Sequence, residues 1–102
     1  MTQLFIVVTF NAMDIEFDDA KNNANITKHG VSLAKAEHFI WETANVKEDA
    51  RFDYGEVRYK AQGFIDKRLH IIVFTLRGED CRIISLRKSN AKERKHYEKT
   101  HL

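Results

Sequence analysis

Polar and apolar positions near the start of the chain predict one strand and leave a second undecided. Residues 3–10 are mostly apolar and β-prone, so they form either a strand or a segment outside the fold. Residues 14–18 alternate strictly, with Ile15 and Phe17 apolar between acidic neighbours. That alternation predicts a strand with one half-buried face.

The spacing then becomes helical in two consecutive segments. Asp18 or Asp19 can cap a helix that runs to about Lys28, and Gly30 supplies the left-handed residue that ends it. Ser32 can cap a second helix in the same way. The buried stripe of this second helix is Leu33, Ala36, Phe39 and Ile40. We therefore predict two helices before the main sheet.

From about Asn45 the spacing changes to two, which is typical of strands. Residues 56–64 alternate between two faces, whereas residues 69–76 are apolar on both faces and predict a central strand. A turn at Gly78 leads into another strand over residues 82–87. Because these strands follow one another closely, they predict an antiparallel sheet made of sequential hairpins.

A capping box predicts the last helix and completes the predicted fold. Asn90 is followed three residues later by Glu93, so a helix is expected over residues 91–100. The complete order is (β)-β-α-α-β-β-β-β-α, in which the first strand is the undecided one. The predicted class is α+β, with an antiparallel β-sheet, two N-terminal helices and a C-terminal helix.

Composition limits the domain organisation and the compartment. The chain has 102 residues, of which 43% are hydrophobic and 31% charged, and no proline, which indicates one globular domain. No apolar run reaches the roughly 18 residues that a membrane span needs. The single cysteine, Cys81, excludes an intrachain disulfide and fits a reducing cytosol. We expect a cytoplasmic protein that does not enter a membrane.

The two halves of the chain carry opposite charge. The net charge of +2 combines −4 over residues 1–50 with +6 over residues 51–102. Residues 82–99 contain seven basic and two acidic side chains. Clustered Lys and Arg are typical of proteins that bind a phosphate backbone, although a solvated helix face has the same composition.

The motifs of common metal and nucleotide sites are missing from the sequence. It has no Gly-rich phosphate loop, no H-E-x-x-H motif and no paired cysteines. The five histidines show no ligand spacing, and Cys81 lacks the spaced histidine–acid partner of a nucleophile. We therefore expect no cofactor and no metal site.

Basic residues on predicted strands carry the clearest functional signal. Glu56, Arg58 and Lys60 share one strand face, Arg77 ends the central strand, and Arg87 lies on the last strand. If these strands are neighbours, three arginines and a glutamate converge on one surface, where arginine forks suit bidentate phosphate contacts. The alternative is a solvent-facing surface balanced by cross-strand ion pairs.

Two further polar residues of the last strand receive different interpretations. Ser85 shares a face with Arg87, so it either donates a hydrogen bond to a phosphate oxygen or is an ordinary strand serine. Arg82 shares its predicted face with Ile84 and Leu86. We therefore interpret Arg82 as a structural residue.

Several segments occur together in an order typical of one protein family. They are residues 17–22, residues 25–32 (NITKHGVS), residues 53–58 (DYGEVR), residues 82–88 (RIISLRK), and Lys92, Glu93, Arg94 and Tyr97 of the final helix. Together they resemble the BrnT-type toxins, the DUF497 family, from about Met13 to Glu98. The resemblance therefore covers nearly the whole chain.

The chain departs from the pattern of that family at a few positions. Residues 17–19 are Phe-Asp-Asp where the family commonly has Trp-Asp-Pro, and Leu86 and Ser89 stand where alanines are usual. These changes affect packing more than chemistry. Residues 1–12 have no counterpart in the family. We therefore predict a toxin domain over residues 13–102, preceded by either a start-site extension, which we favour, or an added edge strand.

The resemblance implies both a fold and a biological role. Members of this family are RelE-like toxins of bacterial type II toxin–antitoxin systems, and the implied activity is endoribonuclease cleavage that arrests translation. The implied partner is a BrnA-type antitoxin with a ribbon-helix-helix part that binds operator DNA. The toxin is accordingly expected to meet RNA directly and DNA only through its antitoxin.

A ribonuclease that works without a metal needs a base for the ribose 2′-OH, cations around the phosphate, and an acid for the leaving 5′-oxygen. Glu56 and His29 are the candidate bases, since histidine titrates near neutral pH. Lys28 either adds charge or serves as the acid. The candidate phosphate ligands in catalysis are Arg58, Arg77 and Arg87.

A second set of residues is expected to bind RNA without taking part in the chemistry. Its members are Lys60, Ser85, Lys88, Lys92, Arg94 and Lys95. The basic final helix either follows the RNA backbone or docks the antitoxin. Two alternatives remain: a non-catalytic module that binds RNA or protein, and an inactive toxin that acts only as the antitoxin's corepressor.

Overall fold

The computed structural model describes residues 14–100, which form an α+β fold as predicted. The elements in chain order are β1 (Ile15–Glu16), α1 (Asp19–His29), a 3-10 helix (Leu33–His38), β2 (Phe39–Glu48), β3 (Tyr59–Ile65), β4 (Arg68–Arg77), β5 (Asp80–Lys88) and α2 (Ala91–Thr100). The predictions for residues 1–12 lie outside the described residues. No helix within 14–100 is long and apolar enough to cross a membrane.

The five strands form one sheet in the order β1-β5-β4-β3-β2. Strands β2 to β5 are sequential antiparallel neighbours, as predicted, and β4 is central. The prediction of a purely antiparallel sheet is wrong at one edge, where β1 pairs in parallel with β5 through Ile15 and Cys81. After β1 the chain forms the helices and then β2, β3 and β4. Strand β5 follows and runs beside β1 in the same direction.

Helix α1 begins and ends as its sequence predicts. The Asp18 carboxylate accepts hydrogen bonds from the backbone N–H groups of Ala20 at 2.7 Å and Lys21 at 3.3 Å. Gly30 ends the helix with φ of 73°, and its N–H donates to the Ile26 carbonyl. Glycine adopts this left-handed conformation without the cost of a Cβ clash, so the helix stops there.

The predicted second α-helix is wrong in type and length. Residues 33–38 form a 3-10 helix capped by Ser32, and Phe39 and Ile40 already belong to β2, opposite Ile65 and Phe64. Leu33 and Ala36 are both completely buried and three residues apart, which suits the three-residue turn of a 3-10 helix. Phe39 reaches the same core from extended backbone, so its spacing looked helical in the sequence.

Paired residues in neighbouring strands share a face of the sheet, and the two faces differ in character. The core face holds the main apolar cluster, which includes Trp41, Val46, Ala61, Ile72, Phe74, Ile83 and Leu86 together with Leu33 and Ala36 of the 3-10 helix. The opposite side, the polar face, includes Lys60, Gln62, Ile71, Val73, Thr75, Ser85 and Arg87. Helix α2 crosses the polar face.

Asn25 ties α1 to the exposed edge of β5. Its side-chain amide donates to the Leu86 carbonyl at 2.8 Å and accepts from the Leu86 N–H at 3.2 Å, as a neighbouring strand would. The same amide also donates to the Val31 carbonyl at 2.8 Å. Because Asn25 is buried and fully bonded, the end of α1 is held beside the last residues of β5.

A bulge in β5 corrects the predicted position of Arg82. The register shifts between Val73 and Phe74, so that Arg82 lies opposite Thr75 on the polar face rather than beside Leu86. One extra residue in a strand reverses the alternation that follows it. Arg82 nevertheless has a structural contact, because its Nε lies 3.3 Å from the Glu16 carboxylate at the parallel edge.

Candidate functional site

Two rows of side chains cross the polar face where the strands are in register. The first row contains Asn45, Gln62, Ile71 and Arg87, and the second contains Lys47, Lys60, Val73 and Ser85. Each row takes one residue from each of β2 to β5. The two lysines of the second row lie directly opposite each other, an arrangement of like charges that costs stability unless an anion is present.

Helix α2 lies across the first row and is fixed there by hydrogen bonds. The Gln62 side chain donates to Ser89 Oγ at 3.0 Å and to the Glu93 carbonyl at 3.1 Å. At the far end, Asn45 Nδ2 donates to Thr100 Oγ1 at 3.1 Å. The helix therefore covers the first row and leaves the second row beside it.

A groove of about 520 Å³ lies between α2 and the sheet, and its lining includes residues of both rows and Glu93 of α2. Lys47 and Lys60 line it from the sheet, and Lys92 and His96 line it from consecutive turns of α2. We call this cavity the basic groove. Neither Lys47 nor Lys60 forms an ion pair within the described part of the chain. The arrangement suits a ligand that carries several negative charges.

Arg87 lies at the β5 end of the first row and is held by Glu93 of α2. Its two terminal nitrogens each donate to a Glu93 oxygen at 2.8 Å. Glu93 also closes the predicted capping box with Asn90, in both directions, at 2.8 and 2.9 Å. The Arg87 guanidinium lowers the pKa of Glu93 to about 2, so this carboxylate is charged at neutral pH.

The electrostatic surroundings of His29 connect it with Arg87. His29 is the last residue of α1, one turn beyond Asn25, which binds the backbone of Leu86. Desolvation lowers the pKa of His29, and the positive charges of Lys28 and Arg87 lower it further. His29 is therefore neutral at neutral pH, which is the form that can accept a proton.

The segment between β2 and β3, residues 49–58, carries a second polar cluster. The buried Asp49 carboxylate accepts two hydrogen bonds from the Arg51 guanidinium, at 2.8 and 2.9 Å, and one from Tyr54 at 3.3 Å. These bonds lower the pKa of Asp49 to about 2. Arg58 stacks 4.0 Å above the Tyr54 ring and pairs with Glu56 at 3.1 Å.

The register does not bring the three predicted arginines to one point. Arg77 pairs with Asp80 at the hairpin end, whereas Arg87 pairs with Ile71, six residues away along β4. Six extended residues span about 20 Å. Arg58 lies between these positions, one residue before the Tyr59–Phe74 pair. The prediction that Arg58, Arg77 and Arg87 converge is therefore wrong. Residues on the same face of a sheet can still lie far apart along the strands.

The six residues predicted to bind RNA fall into three groups. Lys60 and Lys92 line the basic groove, and Ser85 lies in its second row. Lys88 pairs with His70 and so points from the other face of the sheet. Arg94 and Lys95 do not line the groove, and Arg94 donates to the Ser89 carbonyl at 3.1 Å.

Lys47, His96 and the second role of Glu93 were missed by the sequence reasoning. The capping-box spacing identified Glu93 only as a helix cap, since nothing local shows that Arg87 lies beside it. Lys47 follows the buried Val46 and therefore lies on the opposite face of β2. His96 lies four residues after Lys92, on the same side of α2. These spacings were available in the sequence, but the pairing of β2 with β3 was needed to interpret them.

Neither metal-ligand clusters nor a reactive thiol are found in the described part of the chain. Within residues 14–100, no three His, Cys, Asp or Glu side chains come together as metal ligands could. Cys81 is completely buried, and its burial raises the pKa of the thiol to about 12. A thiol with such a pKa stays protonated and is a poor nucleophile.

A known protein family matches most of the chain. A family model described as ribonuclease toxin, BrnT, of type II toxin–antitoxin system matches residues 17–93. No curated protein matches the chain significantly. The match includes β2 to β5 and the first turn of α2, and so most of the residues that line the basic groove, whereas His96 lies beyond it. Because it covers well over half of the sequence, the chain belongs to the BrnT family of ribonuclease toxins of type II toxin–antitoxin systems.

Proposed function

We propose that the protein is an endoribonuclease that binds RNA along the basic groove and cleaves it, without a metal ion, beside Arg87. The observation that carries this proposal is the position of Arg87 at the β5 end of the polar face, where its charge acts on His29 and the neighbouring row carries Lys47 and Lys60. An RNA strand needs cations along its backbone and at the scissile phosphate. The polar face supplies both.

In the proposed reaction, neutral His29 takes the proton of the ribose 2′-OH, and the 2′-oxygen attacks the adjacent phosphorus. The bond from phosphorus to the 5′-oxygen breaks, and that oxygen receives a proton from an acid, for which Lys28 is our candidate. The products are a 2′,3′-cyclic phosphate and a 5′-hydroxyl. The need for a 2′-OH makes RNA, and not DNA, the substrate.

Arg87 is the proposed ligand of the charged phosphate in the transition state. Its side chain is 31% exposed despite the Glu93 pair, so a phosphate oxygen can approach the guanidinium. Glu93 keeps the planar group in one orientation, which reduces the reorganisation that the reaction requires. Glu56, the other candidate base, is already paired with Arg58 in the 49–58 segment.

As a member of a type II toxin family, the protein has an antitoxin as its partner. We propose that this antitoxin is of the BrnA type and that its ribbon-helix-helix part binds the operator. The toxin then reaches DNA only through the antitoxin. We also propose that the free toxin acts in the bacterial cytoplasm, where RNA cleavage arrests translation.

The proposal is tested with the purified full-length chain and a short single-stranded RNA in excess chelator. Cleavage should continue and leave 2′,3′-cyclic phosphate ends, detected by mass spectrometry. Arg87→Ala should lower the rate by about 10²- to 10³-fold, the usual cost of removing one preorganised charge stabiliser. Arg68→Ala, at the exposed start of β4, is the matched arginine control and should retain full activity. Loss of cleavage in chelator would contradict the metal-free mechanism.

The pH dependence of cleavage tests the role of His29. Because desolvation and the nearby positive charges lower the pKa of His29, the acidic limb of the pH–rate profile should lie below the 6.5 of an ordinary histidine. His29→Gln should abolish this acidic limb and lower the rate by about 10²- to 10⁴-fold. An unchanged acidic limb in His29→Gln would assign the base to another residue.

One observation favours a non-catalytic RNA-binding module as a second candidate. Arg58, Arg77 and Arg87 do not meet at one phosphate, and Arg87 is already paired with Glu93. Such a module would bind RNA in a salt-sensitive manner and leave it intact after long incubation. The cleavage assay distinguishes the two functions directly.

A further inference from the structure

The 49–58 segment connects the two strands that carry Lys47 and Lys60, and it presents an aromatic side chain to solvent. Phe52 is 68% exposed, more than any other large hydrophobic residue in the described part of the chain. Val57 of the same segment is 52% exposed. A phenylalanine in this position has a ring face that is free to pack against a ligand.

The residues on both sides of Phe52 are held by hydrogen bonds. The buried Asp49 carboxylate binds Arg51 on one side of Phe52 and Tyr54 on the other. The Phe52 and Tyr54 rings meet edge to face, with 5.8 Å between their centroids. These contacts restrain the residues on both sides of Phe52. Less conformational entropy is therefore lost when a ligand orders the Phe52 side chain.

Two guanidinium groups flank this aromatic pair, and each is also paired with a carboxylate, Arg51 with Asp49 and Arg58 with Glu56. The Arg51 guanidinium lies 5.9 Å from the centroid of Phe52, and the Arg58 guanidinium lies 4.0 Å from that of Tyr54. Arg51 is also near enough to Arg87 for their charges to interact. Arg51 is 63% exposed despite its pair, so a ligand that reaches Phe52, Arg51 and the proposed phosphate ligand Arg87 combines a flat ring with negative charge. An unpaired stretch of RNA has both properties.

We propose that Phe52 is a stacking platform for an unpaired nucleobase of the RNA strand whose phosphates lie along the basic groove. The inference rests on the proposed RNA-cleaving function and deepens it by assigning single-stranded RNA as the form that binds. A base-paired strand keeps its bases inside the helix and offers no free ring face to Phe52.

The test measures binding of two fluorescent probes of equal length to the full-length chain. One is a 2′-O-methyl RNA, which cannot be cleaved because its nucleophile is blocked. The other is the same 2′-O-methyl ribose-phosphate chain without bases. Phe52→Ala should weaken binding of the first probe by about 5- to 150-fold and leave the second unchanged. The salt dependence should stay the same, because no phosphate contact is lost.

Two variants control for folding and for general loss of apolar surface. Phe52→Trp retains a stacking ring and should bind the base-containing probe at least as tightly as the unmodified chain. Ile26→Ala removes another exposed hydrophobic side chain, on α1, and should bind both probes normally. Thermal unfolding of each variant confirms that the fold is retained.

The possible results separate this proposal from the proposed function. If the unmodified chain binds and cleaves RNA but Phe52→Ala binds both probes equally well, the stacking platform is wrong and the nuclease stands. If the unmodified chain neither binds nor cleaves RNA, the proposed function itself fails. If Phe52→Ala loses only its affinity for the co-expressed antitoxin, the exposed ring belongs to a protein interface and the RNA proposal is overturned.

Discussion

The two faces of the sheet are built from the same strands but are stabilised in different ways. On the core face, Phe74 is completely buried and packs against Trp41 at 5.5 Å and Tyr59 at 5.4 Å between ring centroids. On the polar face, Gln62 and Arg87 are held by directional hydrogen bonds to α2. Apolar substitutions of similar volume should therefore cost little stability on the core face. On the polar face, loss of one hydrogen-bonding atom leaves its partner unsatisfied.

This difference suggests that the two faces have different roles, since one stabilises the fold and the other binds a ligand. The core face provides most of the hydrophobic stabilisation, because burial of apolar area is the main favourable contribution to folding. On the polar face, Lys47 and Lys60 lie opposite each other, and neither forms an ion pair among residues 14–100. Such an arrangement lowers stability in the free protein and becomes favourable when an anion binds. Stability and binding are therefore separable by mutation.

The largest expected effect is the loss of stability in Phe74→Ala. Removal of this buried ring should cost about 3–5 kcal/mol of unfolding free energy, since a cavity remains among Trp41 and Tyr59. A domain of this size has only about 5–15 kcal/mol in total. Urea denaturation followed by circular dichroism measures the change.

Val73→Ala is the matched control, because Val73 is the next residue of β4 and points to the polar face. Its half-buried side chain should contribute only about 1 kcal/mol. Equal losses in Phe74→Ala and Val73→Ala would show that the two faces do not differ in the way described.

The same contrast explains how much of the structure the sequence predicts. Leu69 to Leu76 is apolar on both faces, and this alone identifies β4 as the central strand. Asn90 and Glu93 form the capping box that their spacing indicates. Local patterns therefore predict the core strands and the ends of both α-helices.

Non-local features were predicted less well. The bulge that places Arg82 opposite Thr75, and the register that separates Arg77 from Arg87, depend on pairing between strands. The contact between Arg87 and Glu93 depends on the angle at which α2 crosses the sheet. Periodicity predicts the face on which each residue lies but not its position along the neighbouring strand. Candidate residues could therefore be named, but the distances between them could not be predicted.

A smaller effect is expected from Glu93→Gln, which weakens the pair that holds α2 to the polar face. Because the folded state lowers the pKa of Glu93 from 4.5 to about 2, its contribution is complete above pH 4.5 and is lost as pH falls toward 2. At pH 6 the variant should lose about 1–2 kcal/mol, which reflects a partly exposed ion pair and a helix cap. Urea denaturation at pH 6 and at pH 2 measures both states.

Near pH 2 the stability of Glu93→Gln should approach that of the unmodified chain, because about half of the Glu93 carboxyls are then protonated in the folded state and nearly all in the unfolded state. The acid sensitivity that remains in the variant is expected from Asp49, whose pKa is also lowered to about 2. A difference between the two proteins that is the same at pH 6 and pH 2 would assign the loss to packing rather than to charge.

The smallest effect is expected at the end of the polar face that lies farthest from the basic groove. Arg77 is exposed, forms no ion pair among residues 14–100, and lies about 20 Å along β4 from the partner of Arg87. Arg77→Ala should therefore change the unfolding free energy by less than about 0.5 kcal/mol and the RNA cleavage rate by less than about threefold. Parallel assays of Arg77→Ala and Arg87→Ala on one short RNA measure the difference. Equal losses would mean that the RNA contacts the whole length of the polar face, and the site would then extend well beyond the basic groove.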